Sequence, residues 1–177
     1  MFPFLKNKLN INNYRVLFSD FDGVLTDNTV ITSQNGIEHV KCSRSDGLAF
    51  DHLNEIGFPV FVLSTESNKV VQERANKLSI KCIQNLKNKV DKIKSIIKEI
   101  PCSPEEIIYV GNDINDLGAI SYSGLSFCPS DSHDLVKKKS SIVLATAGGK
   151  GVYREILEYW FKLDLASKYL KEKNNEY

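Results

Sequence analysis

Short runs of β-branched and aromatic residues, spaced by longer segments of helical periodicity, constrain this chain more than any other feature. "YRVLFSD" (14–20), "FPVFVLS" (58–64), "EEIIYVG" (105–111) and "SIVLAT" (141–146) are apolar through their centres and end in Ser, Asp, Gly or Thr. A strand with one wet face alternates polar and apolar residues. A run that is apolar on both faces must be covered on both, as in a parallel sheet between helices. The intervening segments supply those helices. "SDGLAFDHLNEIG" (45–57) repeats apolar residues at Leu48, Phe50, Leu53 and Ile56 and stops at Gly57, and 66–80, 88–100, 114–124 and 151–163 read the same way. Four core strands joined by single helices predict an α/β fold, a doubly wound Rossmann-like parallel sheet.

With 177 residues, 42% of them hydrophobic, the chain suits one domain, its core spanning about 14–162 and a polar tail over 164–177, in which the end of "KYLKEKNNEY" (168–177) is expected to fray. Lys and Arg number 23 against 22 Asp and Glu, a formal charge of +1. No global field therefore points to nucleic acid or an anionic membrane as a partner. Cys42, Cys82, Cys102 and Cys128 are scattered without a CxxC pair, which predicts a reduced, cytoplasmic protein. No apolar run approaches the roughly 20 residues of a membrane span.

One segment breaks the alternation. In "DNTVITSQNGIEHVKC" (27–42), "TVITS" and "IEHVKC" flank Gln34-Asn35-Gly36, a strong hairpin signal. A β-hairpin is thus predicted inside the first strand-to-helix crossover, emerging beside the C-terminal strand ends where ligands of such sheets bind. Its apolar residues Val30, Ile31, Ile37 and Val40 mark a face seeking a partner.

If the first strand ends near Ser19, the carboxylates of Asp20 and Asp22 fall in the following loop with Phe21 turned back into the core. "GNDIND" (111–116) follows "IIYV" in the same way and brings Asp113 and Asp116 to the same crevice. Carboxylates packed so closely repel unless a cation sits among them, and an all-oxygen donor set suits Mg2+. At a third strand end, "VLSTE" (62–66) presents Ser64 and Thr65, read as the N-terminus of the next helix and hence an anion site. "KNKVDK" (87–92) adds Lys87, Lys89 and Lys92. A nucleophilic carboxylate, a cation, hydroxyl donors and a lysine are the parts phosphoryl transfer to a carboxylate requires.

"DFDGVLTD", "LSTE", a later lysine and "YVGNDIND", in that order, resemble the haloacid dehalogenase superfamily of aspartyl-phosphate phosphatases. The hairpin after "GVLTD", the "RSDGLAF" helix start and "GLSFCPSDSHDLVKKKSSIVLATAGGKGVYRE" resemble one branch of it, over roughly residues 14–162. That branch comprises phosphatases of KDO 8-phosphate and of KDN or N-acylneuraminate 9-phosphate, and the similarity extends to the C-terminal domain of some CMP-sialic acid synthetases. The resemblance implies that Asp20 is the nucleophile and Asp22 the general acid and base. Ser64 and Lys89, or Lys87 in its place, would bind phosphate oxygens. Mg2+ would be held by Asp20, Asp22 through its backbone carbonyl, Asn112 and Asp113. Substrate contacts are implied at Asp46, Gly47, Thr65, Glu66, Arg74 and Lys150, and assembly as a homotetramer through hairpin 27–42. The chain makes three departures from the common pattern: Asn112 replaces an aspartate, Thr65-Glu66 stands where the KDO 8-phosphate enzymes resemble "TGR", and Lys150 replaces arginine or glutamate. The substrate implied is a phosphorylated 2-keto-3-deoxy sugar acid, with a nine-carbon acid favoured. The alternative is a phosphatase-like assembly module of a nucleotide-sugar synthetase with little or no turnover.

Overall fold

The structure, a computed structural model, describes residues 9–172. Its centre is β1 (Val16–Ser19), buried at every position, as the all-apolar run requires. A small antiparallel pair follows, β2 (Ile31–Thr32) and β3 (Glu38–His39), and then α1 (Ser45–Glu55), which ends against Gly57 in a left-handed conformation. The chain continues through β4 (Val60–Leu63), α2 (Lys69–Lys77), β5 (Lys81–Ile83) and α3 (Lys89–Ile96). Then come β6 (Ile107–Val110), α4 (Leu117–Tyr122), β7 (Leu125–Cys128), α5 (Asp134–Lys139) and β8 (Ile142–Val143). The last elements among the described residues are α6 (Val152–Glu155), prolonged by a π-helical turn over Ile156–Trp160, and α7 (Ser167–Glu172).

The main sheet is six-stranded and parallel, in the order β5-β4-β1-β6-β7-β8. Four of these strands were predicted; β5 and β7 were not. β5 is short and only partly covered, and Lys81 opens it; β7 carries Ser126 in its middle, so neither forms an apolar run. Ser126 is accommodated by reciprocal bonds with Ser141, each backbone N–H donating to the other's hydroxyl. The predicted strand over 141–146 shrinks to Ile142–Val143. The polar tail contains helix α7 as far as Glu172, and its end, where fraying is expected, falls in 173–177, outside the described residues.

Side-chain alternation divides the core into two layers. Leu17, Val62, Ile108 and Val110 face α1, α2 and α6 through Phe50, Val71 and Val152. Val16, Phe18, Leu63 and Tyr109 face α3, α4 and α5 through Ile93, Ile120 and Val136. From β1 the chain winds outward to β4 and β5, then returns to build β6, β7 and β8 on the other side. The reversal leaves a crevice at the C-terminal ends of β1 and β6, where such sheets bind ligands.

The hairpin forms where it was predicted. Gly36 takes a positive φ of 78°, and the turn closes through Gly36 N–H to Ser33 O and Ser33 N–H to Ile37 O, both 2.9 Å. Only two residues pair on each side, supplemented by a bridge between Thr26 and Cys42 at the base. Val30, Ile31 and Ile37 are exposed. Val40 is not part of that face, since it packs against the core layer that contains Phe21.

Candidate active site

Three strand ends and one helix start meet in the crevice. Asp20 follows β1, Ser64 follows β4, Asn112 lies two residues beyond β6, and Lys89 opens α3. A cavity of about 230 Å3 is lined by Asp20, Asp22, Ser64, Thr65, Glu66, Asn112 and Asp113, with Asn28, Ile114 and Asn115 completing its wall. Phe21 turns into the core, wholly buried, as the spacing of the two aspartates predicts.

The innermost part is an ion cluster. Lys89 Nζ sits 2.8 Å from Asp20 Oδ1 and 2.7 Å from Asp116 Oδ1, with all three side chains nearly or wholly inaccessible. Asn88 caps α3 by accepting from Val90 and Asp91 N–H, which starts the helix so that Lys89 points inward. Lys87 is exposed, so between the two candidate lysines Lys89 is the one that reaches the cluster. Burial pushes the Asp20 carboxyl upward, as does the Asp116 charge, while Lys89 opposes both. Burial pulls Lys89 down, but the two carboxylates outweigh it and its net shift is upward, so the ammonium stays charged.

Asp116 faces away from the cavity and is saturated. Its Oδ1 also accepts the Tyr109 hydroxyl at 2.6 Å, and its Oδ2 accepts Asn112 N–H at 2.9 Å and Asp113 N–H at 3.2 Å. It therefore shapes the loop and holds Lys89 instead of offering oxygens to the crevice. Asp113 lines the cavity and spends one oxygen on Ile114 N–H.

Asp22 stands at the rim, half-buried, accepting the Thr26 hydroxyl at 3.3 Å. Its carboxyl is shifted up by burial, then lowered in part by Thr26, with Glu66 and Glu38 raising it further. Thr26 was not anticipated. Its hydroxyl also accepts Gly23 N–H at 3.1 Å and Asn28 N–H at 3.2 Å, closing the loop that carries both aspartates.

Ser64 is buried, and its Oγ accepts Glu66 N–H at 3.0 Å, which leaves the hydroxyl proton available to a ligand. The expectation that Ser64 and Thr65 open a helix is corrected: α2 begins at Lys69 with Asn68 as its cap. The cradle is a loop, because Asn68 takes the capping position that Ser64 or Thr65 would have needed. Glu66 and Asn68 extend into an adjoining groove of about 290 Å3, walled on the hairpin side by Val30, Glu38 and Val40. Glu38 Oε2 accepts Asn68 Nδ2 at 2.6 Å, which ties the hairpin to α2.

Four anticipated substrate contacts lie elsewhere. Asp46 is wholly buried, and its Oδ1 accepts Tyr153 N–H at 2.8 Å, locking α1 to α6. Burial raises its pKa to about 6 against backbone donors that lower it. Gly47 packs near Leu78, and Arg74 donates from Nη2 to Ser43 O at 2.7 Å. None of these three lines the crevice. Lys150 is exposed on the glycine loop, near enough to Asp27 to contribute to a downward shift whose main cause is the Thr29 hydroxyl. That loop braces the site from behind. A Cβ on Gly148 would lie 2.3 Å from Gly23 O, and Gly149 N–H donates to Val24 O at 2.9 Å.

The donor set fits a hard divalent cation. A single buried ammonium serves two carboxylates, Asp22 and Asp113 add further acidic groups at the rim, and Asn112 Oδ1 is buried without a partner among the described residues. Asn112 lies directly over Gly23, whose absent side chain makes room for it: a Cβ there would be 1.8 Å from Asn112 Nδ2.

The profile of the haloacid dehalogenase-like hydrolases matches residues 62–156. The chain belongs to that family. Over 147 residues it is 29% identical to the 3-deoxy-D-manno-octulosonate 8-phosphate phosphatase of Yersinia pestis, covering 82% of this chain and 79% of that one. The crystal structure of a haloacid dehalogenase family hydrolase from Streptomyces avermitilis MA-4680 matches with a TM-score of 0.86 and 34% identity, over 91% of this chain and 92% of that one. A cobalt-bound deoxy-D-mannose-octulosonate 8-phosphate phosphatase from Haemophilus influenzae matches with a TM-score of 0.80 and 29% identity, over 86% and 90%. The haloacid dehalogenase resemblance read from the motifs is thus borne out, and so is the branch. Among the described residues no helix is long and apolar enough to cross a membrane.

Proposed function

We propose that this haloacid dehalogenase-like hydrolase is an Mg2+-dependent phosphatase of a phosphorylated 2-keto-3-deoxy sugar acid. The observation that carries the reading is Asp20, one oxygen of which is held by Phe21 N–H at 2.7 Å and Lys89 at 2.8 Å. The other oxygen is left to attack phosphorus. The bond from phosphorus to the sugar oxygen breaks as Asp22 gives that oxygen a proton, which its raised pKa equips it to carry. Asp22 then takes a proton from the water that attacks the acyl phosphate and frees Asp20. Ser64 and Lys89 bind the phosphoryl oxygens. Asp20, the Asp22 backbone carbonyl, Asn112 and Asp113 would hold Mg2+, which when bound supplies charge neutralisation to the transferring group.

The adjoining groove supports a hydroxyl-rich substrate. Glu38, Glu66 and Asn68 line it, and no lysine or arginine is among the described residues of its lining, so it offers acceptors to sugar hydroxyls and repels a carboxylate. The acid group of the sugar is therefore assigned outward, toward Lys150 and a neighbouring copy. Exposed Val30, Ile31 and Ile37 give the hairpin an apolar face for a homotetramer. A nine-carbon acid such as KDN or N-acylneuraminate 9-phosphate agrees with Glu66, and KDO 8-phosphate agrees with the curated relative.

A second reading, an assembly module beside a CMP-sialic acid synthetase, draws on the neutral Asn112 alone. Turnover of a panel holding both sugar acid phosphates and p-nitrophenyl phosphate separates the two, with Asp20→Asn as control. The phosphatase reading requires turnover that Asp20→Asn abolishes. Undiminished hydrolysis by that variant would refute the covalent route, and no turnover of any ester would leave the assembly reading.

A further inference from the structure

Two buried hydroxyls beside the nucleophile have no part in the steps above. Ser19 ends β1 and Tyr153 lies in α6, and both are wholly inaccessible. The Tyr153 hydroxyl bonds to Ser19 Oγ, and Ser19 Oγ bonds to the main-chain carbonyl of Asp20. The direction of the chain is fixed by chemistry. A carbonyl oxygen can only accept, so Ser19 donates to Asp20 and Tyr153 donates to Ser19. Away from water, hydroxyls in line polarise one another and strengthen both bonds.

Tyr153 is itself anchored apart from its hydroxyl. Its N–H donates to Asp46 Oδ1 at 2.8 Å, and its ring packs on Phe50 with centroids 4.4 Å apart. The Asp20 end matters because the Asp20 carbonyl and the Phe21 N–H belong to one planar peptide unit, so fixing one end aims the other. That N–H grips Asp20 Oδ1 at 2.7 Å, on the oxygen that Lys89 also holds. On the other side, Asp20 N–H donates to Val110 O at 2.8 Å, a sheet bond that sets the strand but leaves the following peptide free to rotate.

We propose that Tyr153, acting through Ser19, is a positioning residue for the Asp20 nucleophile. The hydroxyl chain locks the Asp20–Phe21 peptide so that its N–H and Lys89 share one carboxylate oxygen and the other is presented to phosphorus. The proposal rests on the phosphatase reading of Asp20. It also gives the glycine loop and α6 a task, since they carry Tyr153 to the back of the catalytic strand.

Tyr153→Phe removes the hydroxyl while keeping the ring on Phe50 and the backbone bond to Asp46. Ser19→Ala removes the middle of the chain. Kinetics of both variants and of the double variant, with p-nitrophenyl phosphate and a thermal melt on the same samples, test the idea. Each single variant is expected to lose about ten- to a hundredfold in kcat with KM changed by less than about twofold, since a misdirected nucleophile slows the chemical step and leaves binding alone. The double variant is expected to be no slower than the slower single one, because the two residues act in series. Near wild-type kcat in both single variants, or losses that multiply in the double variant, would overturn the proposal. If Tyr153→Phe does not fold, Ser19→Ala decides by the same kcat criterion. A wild-type chain that hydrolyses no phosphate ester overturns the phosphatase reading and this proposal with it, whereas an active wild type with unaffected variants overturns the proposal alone.

Discussion

Replacing Lys89 by Met would keep most of the side-chain volume and delete the one charge that lies between Asp20 and Asp116. In the structure the ammonium is 2.8 Å from one carboxylate and 2.7 Å from the other, and the lysine side chain is 2% exposed. Asp116 would retain Tyr109 and two backbone donors, and Asp20 would retain Phe21 N–H. Breaking a buried pair by removing one partner generally costs about 3–5 kcal/mol. In the wild type, burial and Asp116 already raise the Asp20 carboxyl from 3.8 to about 8 against the opposing Lys89, so below that value the folded wild type also holds the proton. Without Lys89 the upward shift is larger, and the folded variant keeps a proton that the folded wild type gives up above about pH 8, so the loss grows as pH rises past that point at up to about 1.36 kcal/mol per unit. Urea unfolding of both proteins at pH 7 and pH 9, without divalent cations, is expected to show a loss at pH 7 and one larger by about 1 kcal/mol at pH 9, with unchanged m-values. An equal loss at both pH values, or less than about 0.5 kcal/mol at pH 7, would refute the view that Lys89 is the buried counter-ion.

Asn112→Asp places a charge where the family resemblance implies one, and calorimetric titration is expected to show tighter Mg2+ binding; identical affinities would move the ligand role to Asp113. Asp46→Asn keeps an oxygen for Tyr153 N–H but removes a carboxyl whose pKa is raised from 3.8 to about 6. Folded wild-type protein holds that proton longer than unfolded protein does, so stability falls as pH rises through this window, by about 3 kcal/mol at about 1.4 kcal/mol per unit; the variant's denaturation curves should lack this component. Gly148→Ala would drive a Cβ to within 2.3 Å of Gly23 O and 2.9 Å of Thr26 O, both backbone atoms that cannot swing aside. A loss of about 2 kcal/mol or more in stability is expected, together with lower turnover, and a neutral outcome by thermal melt would mean the loop is not a brace.

The sheet was legible wherever a strand is apolar on both faces. β1, β4 and β6 announce themselves because each must be covered by helices on two sides. β5 and β7 escaped notice because their polar residues are solved by local means, a half-exposed edge for Lys81 and a hydroxyl pair for Ser126. In the site, the aspartates of the first loop were readable from their position at a strand end. The different fates of Asp113 and Asp116 were not, since only the folded loop reveals that Asp116 turns inward to Lys89 and Tyr109. Thr26, Tyr109 and Tyr153 act through hydroxyls whose partners are 4, 7 and 134 residues away. Of these, the Thr26 to Asp22 spacing is short enough to have been found by asking what could close the loop.

The central place of β1 has a consequence for synthesis. Its register partners are Val60 to Val62 on one side and Ile107 to Val110 on the other. As the ribosome extends the chain at roughly 5–20 residues per second, the strand that ends at the nucleophile waits several seconds for its first neighbour and about twice as long for its second. Throughout that interval Val16, Leu17 and Phe18 form an open edge of a kind that invites pairing between nascent chains. Mutations that slow the docking of β6 should therefore show themselves first as poor soluble yield in growing cells, before any defect is visible in protein already folded.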